Sequence, residues 1–126
     1  KLKGLDSGRN RLTLLPREVG ALKNLEGLGL EYNQLEKLPR EIGSLHKLKV
    51  LGLVHNRLES LPQEIGELVH LEGLGLEHNR LQSLPREVEK LKKLKGLSLK
   101  NNPLPEDVRR AYERGMDGSL ALSREG

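Results

Sequence analysis

Residues 25–39 run Leu-Glu-Gly-Leu-Gly-Leu-Glu-Tyr-Asn-Gln-Leu-Glu-Lys-Leu-Pro, and their Leu, Asn and Pro positions return 23 residues later at 48–62 and again at 71–85. A looser copy occupies 2–16, and a truncated copy begins at Leu94. A fixed period of about 20 to 29 residues is typical of repeat proteins, in which each unit buries its apolar face only against its neighbours. The spacing therefore predicts a solenoid with one continuous narrow core.

The pattern Leu-x-x-Leu-x-Leu-x-x-Asn-x-Leu-x-x-Leu-Pro resembles that of leucine-rich repeat proteins, in particular the intracellular 23-residue class of Ras-group and Roco-type proteins. The resemblance covers residues 2 to about 105. It implies a right-handed α/β solenoid with short parallel strands on the concave face and short helical or 3-10 turns on the convex face. We expect an array at 1–105, with about five repeats at 2–24, 25–47, 48–70, 71–93 and 94–105, and a C-terminal capping helix and tail at 106–126.

The residues within one copy support this architecture. Leu28 and Leu30 alternate at period two, which predicts a strand that points both side chains inward. The resemblance implies that the Asn after each strand turns inside and satisfies backbone groups, and a buried backbone group without a partner costs about 1–3 kcal/mol. Proline suits the first position of the following turn, where no backbone donor is needed. The prolines in question are Pro16, Pro39, Pro62 and Pro85.

The composition fits such a chain and excludes several classes. Phe, Trp and Cys are absent from the 126 residues, so a narrow Leu core is easier to fill than a wide one and disulfides are ruled out. No apolar run approaches the roughly 18 residues of a membrane span, and the first residues do not have the pattern of a signal peptide. We therefore expect a cytoplasmic protein. The net charge is +4, but Lys and Glu are interspersed, which favours a solvated surface over a nucleic-acid or anionic-membrane footprint.

The sequence contains almost no features that are typical of a catalytic site. The chain has no Cys nucleophile, no phosphate-binding loop with Gly-Lys-Ser/Thr, and no serine in a nucleophile-elbow context. Gly-Leu-Gly at 27–29 and 73–75 lacks the third Gly of a dinucleotide loop. We expect a protein that is not an enzyme and that needs no cofactor.

Two rows of small residues should face solvent between the buried leucines of successive strands. One row is Gly4, Gly27, Val50, Gly73 and Gly96, and the next is Asp6, Gly29, Gly52, Gly75 and Ser98. Glycine in a strand often marks the close approach of another backbone, so these rows predict a bare floor on which a partner can lie. The alternative is that repeat duplication copied the glycines without a function.

The candidate partner-binding residues lie beside this floor. Tyr32, His55 and His78 occupy equivalent positions, and Tyr suits an interface because it carries apolar area and a polar tip. A solvated rim is the alternative interpretation. Convergence of three or four metal ligands is not expected from a flat row. The full predicted set is Glu31, Tyr32, Val54, His55, Glu77, His78 and Lys100.

The two ends of the array differ. The chain starts inside a repeat at Leu2, so Leu2, Leu5 and Leu12 should be open to solvent on one side, which predicts either a piece of a longer protein or an edge that meets a second copy. Glu106–Arg114 has apolar residues at helical spacing and should cover the last Leu column. The most direct interpretation is a module that binds another protein on its concave face in intracellular signalling or scaffolding. The alternatives are self-association through the N-terminal edge, and weak electrostatic binding of nucleic acid or membrane.

Overall fold

A computed structural model describes residues 2–115. Five three-residue strands form one parallel sheet in the order of the chain. We number them β1 (Gly4–Asp6), β2 (Gly27–Gly29), β3 (Val50–Gly52), β4 (Gly73–Gly75) and β5 (Gly96–Ser98). Each residue of β1 to β4 pairs with its equivalent in the next strand, as Leu28 does with Leu51. The leucine-rich repeat solenoid expected from the sequence is confirmed.

The convex side of each of the first four repeats is a 3-10 turn of five residues. The turns are Arg17–Ala21, Arg40–Ser44, Gln63–Glu67 and Arg86–Lys90. The prediction that proline is the first residue of each turn was wrong by one position. Pro39 has an extended backbone, with φ −70° and ψ 150°, and its carbonyl accepts the amide hydrogen of Ile42 at 3.0 Å. Proline thus contributes the first acceptor of the turn, and its lack of an N–H costs nothing there.

The core is a column of leucines between the sheet and the turns. Leu28 and Leu51 on the strands are 2% and 0% exposed, and Ile42 and Leu45 on the convex side are both 0% exposed. Each such side chain contributes roughly 1.5–3 kcal/mol by leaving water. Because each layer is closed only by the layers on either side, this stabilisation is collective along the array.

A second column, of asparagine, ties each layer to the one before it. Asn56 accepts the amide hydrogen of Leu35 at 3.0 Å and donates to the carbonyls of Leu30 and Leu53, both at 3.0 Å. Asn79 makes the equivalent bonds one repeat later. One buried amide thus satisfies three backbone groups, and the inward orientation expected for this Asn is confirmed.

Glycine on the convex side permits the turns to stack closely. A Cβ at Gly43 would lie 2.8 Å from the carbonyl oxygen of Glu64 and 2.9 Å from its Cβ, and Gly20 and Gly66 are equally tight against the following turn. In the last of the four turns the equivalent residue is Glu89. No further 3-10 turn follows Arg86–Lys90 in the described part of the chain, so a side chain fits at residue 89.

Helix α1 (Glu106–Gly115) packs on β5 at the end of the array. Tyr112 is 3% exposed and joins the buried leucine cluster, against which Val108 also packs. Burial and then the negative charge of Glu89 raise the pKa of the Tyr112 phenol above its ordinary value of 10.0. The part of the predicted tail that follows residue 115 lies outside the described residues.

Several leucines of the first repeat are exposed or partly exposed to solvent. Leu2 is 47% exposed and Leu14 is 61% exposed, whereas Leu5 and Leu12 are partly buried against the core. The exposure predicted for this edge is therefore found for Leu2 and is partial for the other two. None of the helices in the described residues is long and apolar enough to cross a bilayer.

Candidate protein-binding face

The solvent-facing side of the five strands is the candidate site, and its first feature is the row of glycines at the start of each strand. A Cβ added at Gly4, Gly27 or Gly96 would meet no atom within 4 Å. At Gly73 it would meet only the methyl groups of Val50, at 4.0 Å. Packing within the repeats therefore does not require glycine in this row.

The second row, at the end of each strand, is different because neighbouring side chains lie over it. A Cβ at Gly75 would be 3.1 Å from Cγ2 of Val54, and one at Gly52 would overlap the carboxylate of Glu31. The side chains of Val54 and Glu31 thus pack over glycines of the next repeat. Glycine here marks the approach of a side chain from the adjacent layer.

Two shallow depressions lie in this floor. One, of about 420 Å³, is lined mainly by residues of β1 and β2, and the other, of about 390 Å³, mainly by residues of β3, β4 and β5. Val50 and Glu31 line both. Val50 is 54% exposed and forms an apolar ridge between the two depressions. The sequence analysis did not select it as a contact, although it alone interrupts the Gly row with a side chain.

A stacked row of side chains borders the floor at the carboxyl ends of the strands. The rings of Tyr32 and His55 are 4.4 Å apart at 12°, and those of His55 and His78 are 4.1 Å apart at 9°. Arg9 places its guanidinium carbon 4.2 Å from the Tyr32 ring centre, and Asn101 lies 3.1 Å from Nε2 of His78. We call these five residues the stacked row.

The backbone explains why this row is so regular. All five residues have φ between 60° and 63°, in the left-handed region that non-glycine residues rarely adopt. The amides of Tyr32, His55 and His78 nevertheless donate to carbonyls of the next repeat, at 3.0, 2.9 and 3.0 Å. The conformation costs on the order of 1 kcal/mol per residue, which stacking at about 0.5–1.5 kcal/mol per ring pair can offset.

The seven predicted contact residues therefore lie together. Tyr32, at 44%, and His78 and Lys100 are exposed, and the remaining four are partly buried. Val54 is less accessible than the sequence suggested. Because Gly75 has no side chain, the Val54 side chain packs against the floor at that position. The four partly buried residues are Glu31, Val54, His55 and Glu77.

Other chemistry is sparse within residues 2–115. No group of three or more His, Asp or Glu side chains there converges as metal ligands would. The basic cluster around Lys90 and Lys92 lines a depression of about 460 Å³ that also contains Glu87 and Glu89. Mixed charge at that depression is typical of a solvated surface.

Comparisons with known proteins agree with the fold. Family models described as leucine-rich repeat region and leucine rich repeat match residues 40–110 and 1–58. A leucine-rich repeat protein of Leptospira interrogans is similar over 80% of this chain and 26% of its own, with 48% identity and a TM-score of 0.79. An internalin of Listeria monocytogenes is similar over 96% of this chain and 33% of its own, with 25% identity and a TM-score of 0.74.

The chain thus spans between a quarter and a third of the length of these two proteins. Comparison with curated proteins gives no match. Leucine-rich repeat proteins generally mediate protein–protein interaction. With one family model over residues 40–110 and the repeat geometry described above, the chain belongs to the leucine-rich repeat family.

Proposed function

We propose that this chain is a protein–protein interaction module whose partner binds on the concave face, over the glycine floor and beside the stacked row. The observation that carries the proposal is the open space at Gly4, Gly27 and Gly96. Packing does not require glycine at these positions, and a floor without side chains gives a partner backbone direct access to the sheet.

The residues that border the floor have the chemistry of interface anchors. Tyr32 offers an exposed ring whose orientation is fixed by His55 on one side and Arg9 on the other. A side chain that is already ordered loses little conformational entropy when a partner covers it. We propose Glu31, Tyr32, Val54, His55, Glu77, His78 and Lys100 as the central contacts.

The scaffold beneath these contacts is suited to recognition by a preformed surface. Buried asparagines such as Asn56 bond each layer to its neighbour through backbone groups, so the strands hold a fixed register. Binding to a rigid surface requires little rearrangement. We propose an intracellular role in signalling or scaffolding, carried out by such complementarity and without catalysis by this chain.

A side chain added to the floor tests the proposal without disturbing the fold. Gly27→Gln places a polar side chain in the first depression, where a Cβ meets nothing within 4 Å. Affinity capture from a lysate of the source cells should recover a partner with the wild type, and recovery should fall at least tenfold with this variant. Ser60→Gln adds the same group at an exposed residue outside the strands and should leave recovery unchanged. Equal recovery by all three proteins would contradict the proposal.

A second candidate is self-association at the first repeat, for which Leu14 is the specific observation. Leu14 is 61% exposed and lines an apolar depression of about 360 Å³ with Leu15, Pro16 and Leu38. The equivalent residue in the second repeat is Lys37. If this surface joins two copies, Leu14→Lys should convert a concentration-dependent mass in sedimentation equilibrium to that of a monomer. A wild type that is monomeric at all concentrations would exclude this candidate.

A further inference from the structure

The middle of the concave face has a charge opposite to that of the whole chain. It consists of the two glycine-rich rows of the floor and the adjacent row of Glu31, Val54, Glu77 and Lys100. Asp6, Glu31 and Glu77 give these rows three carboxylates, and Lys100 at the far end is their only cation, whereas the chain as a whole carries +4. This acidic part of the floor is therefore local, and cations border it, with Lys3 and Lys49 before the strands and Arg9 in the stacked row.

Glu31 and Asp6 direct two carboxylates at the same part of the floor. A Cβ at Gly29 would lie 3.2 Å from Oε1 of Glu31 and 3.3 Å from Oδ1 of Asp6. Asp6 accepts the amide hydrogen of Gly8 at 3.1 Å, whereas the carboxylate of Glu31 has no hydrogen bond or ion pair within residues 2–115. Both residues line the first depression.

Covering these carboxylates has an energetic consequence for any partner. A carboxylate removed from water without a positive partner or hydrogen-bond donors is strongly destabilised. An acidic or purely apolar segment would therefore be rejected at Glu31, whereas an ammonium or guanidinium group would form charge-assisted hydrogen bonds. The adjacent ridge of Val50 adds a requirement for an apolar side chain next to that cation.

The dimensions of the floor suit an extended segment. Five strands at a spacing of about 4.8 Å span roughly 19 Å, which about six extended residues cover at about 3.3 Å each. The open glycine positions run along this whole width, from Gly4 to Gly96, with Val50 as the one side chain among them. A backbone could therefore cross the strands at close range.

We propose that the occupant of the concave face is an extended basic segment of a partner protein, with a Lys or Arg side chain between Asp6 and Glu31 and an apolar side chain against Val50. This inference rests on the proposed function and specifies its partner. Complementarity of charge to the acidic floor selects a basic over an acidic or neutral segment.

A library of acetylated and amidated random octapeptides, presented to the immobilised wild-type chain, tests this directly. Binders should be enriched in Lys or Arg next to an apolar residue and depleted of Asp and Glu. Glu31→Gln should weaken a selected peptide about tenfold, consistent with the loss of one charge-assisted hydrogen bond. Glu59→Gln removes the same charge at an exposed residue outside the strands and should leave its binding unchanged.

The outcomes separate this inference from the proposed function. Neutral or acidic peptides that bind the wild type but not Gly27→Gln would overturn the basic segment and leave the concave face as the binding surface. Peptides whose binding is unaffected by both Gly27→Gln and Glu31→Gln would count against both. Equal weakening by Glu31→Gln and Glu59→Gln would mean nonspecific attraction to charge, which also overturns the assignment to Asp6 and Glu31.

Discussion

The carboxylate of Glu31 lies over Gly52, in the space that a side chain on the next strand would need. Val54 has the same relationship to Gly75 one repeat further on. Glycine in this row is thus matched to a side chain from the neighbouring layer. In the row of Gly27, by contrast, a Cβ would meet nothing within 4 Å, except at Gly73, where the Val50 methyl groups are 4.0 Å away. Glycine therefore has a packing role in one row and leaves open space in the adjacent row. Substitutions can distinguish these two roles.

Alanine substitution should separate the glycines required for packing from those that leave the floor open. Gly43→Ala places a Cβ 2.8 Å from the carbonyl oxygen of Glu64, so the turns must separate and the free energy of unfolding should fall by about 1–3 kcal/mol. Gly27→Ala has free space and should be neutral or stabilising by up to about 1 kcal/mol. Equilibrium urea unfolding measures both. A similar loss for the two variants would contradict the packing argument.

The buried asparagine column should be more important for stability than any surface polar contact. Asn56→Ala leaves the buried amide of Leu35 without its partner. It also removes one of the two asparagine donors to each of the carbonyls of Leu30 and Leu53, so we expect a loss of about 1–3 kcal/mol. The control is Asn24→Ala, which removes only a hydrogen bond from Lys47 at the surface and should cost less than about 1 kcal/mol. Thermal unfolding followed by circular dichroism compares the stability of the two variants. Equal losses would mean that the buried asparagine hydrogen bonds stabilise the fold no more than a surface hydrogen bond does.

The stacked row should tolerate residues that accept a left-handed backbone and reject those that do not. Asn tolerates this conformation and already occupies the equivalent position at Asn101, so His55→Asn should cost no more than its two lost ring contacts, about 1–3 kcal/mol. His55→Val introduces a β-branched side chain at φ 62° and should cost about 1–2 kcal/mol more. Chemical denaturation of the two variants tests the difference. Equal stability would show that the backbone at residue 55 relaxes out of the left-handed region.

The raised pKa of Tyr112 predicts a loss of stability in alkali. The phenol is buried beside Glu89, so the folded state favours its neutral form, and this contribution is complete below the ordinary pKa of 10.0. As the pH rises through 10 and towards the higher pKa of the folded state, the unfolded chain releases the proton first and stability falls. Between pH 8 and 11 the wild type should lose more free energy of unfolding than Tyr112→Phe. Identical pH dependence of the two proteins would contradict the assignment.

The sequence predicted most of the fold because the repeat period fixes which residues lie side by side. Leu28 was assigned to the core from spacing and Asn56 from the family resemblance, and both are buried. The position of proline was wrong because both the residue before a turn and its first residue suit a fixed φ near −65°. Pro39 takes the earlier position, where its carbonyl is an acceptor.

The candidate site could be predicted only in outline. Equivalent positions placed Tyr32 beside His55, but the left-handed backbone of Arg9 and Tyr32 is not expected from residue type and accompanies hydrogen bonds between layers. The role of Val50 as a ridge, and the contact of Val54 with the floor, depend on the empty space left by neighbouring glycines. Both features depend on contacts between neighbouring repeats, which the sequence alone does not reveal.

Photo-crosslinking from residue 32 tests most directly that a partner binds the concave face. Benzoylphenylalanine in place of Tyr32 keeps an exposed aromatic ring in the stacked row, and the same group at Ser60 lies at an exposed position outside the strands. With lysate of the source cells, we expect a crosslinked product from residue 32 that is absent from residue 60 and is suppressed by Gly27→Gln. A product from residue 60 alone, or one from residue 32 that Gly27→Gln leaves unchanged, would contradict a partner on the glycine floor.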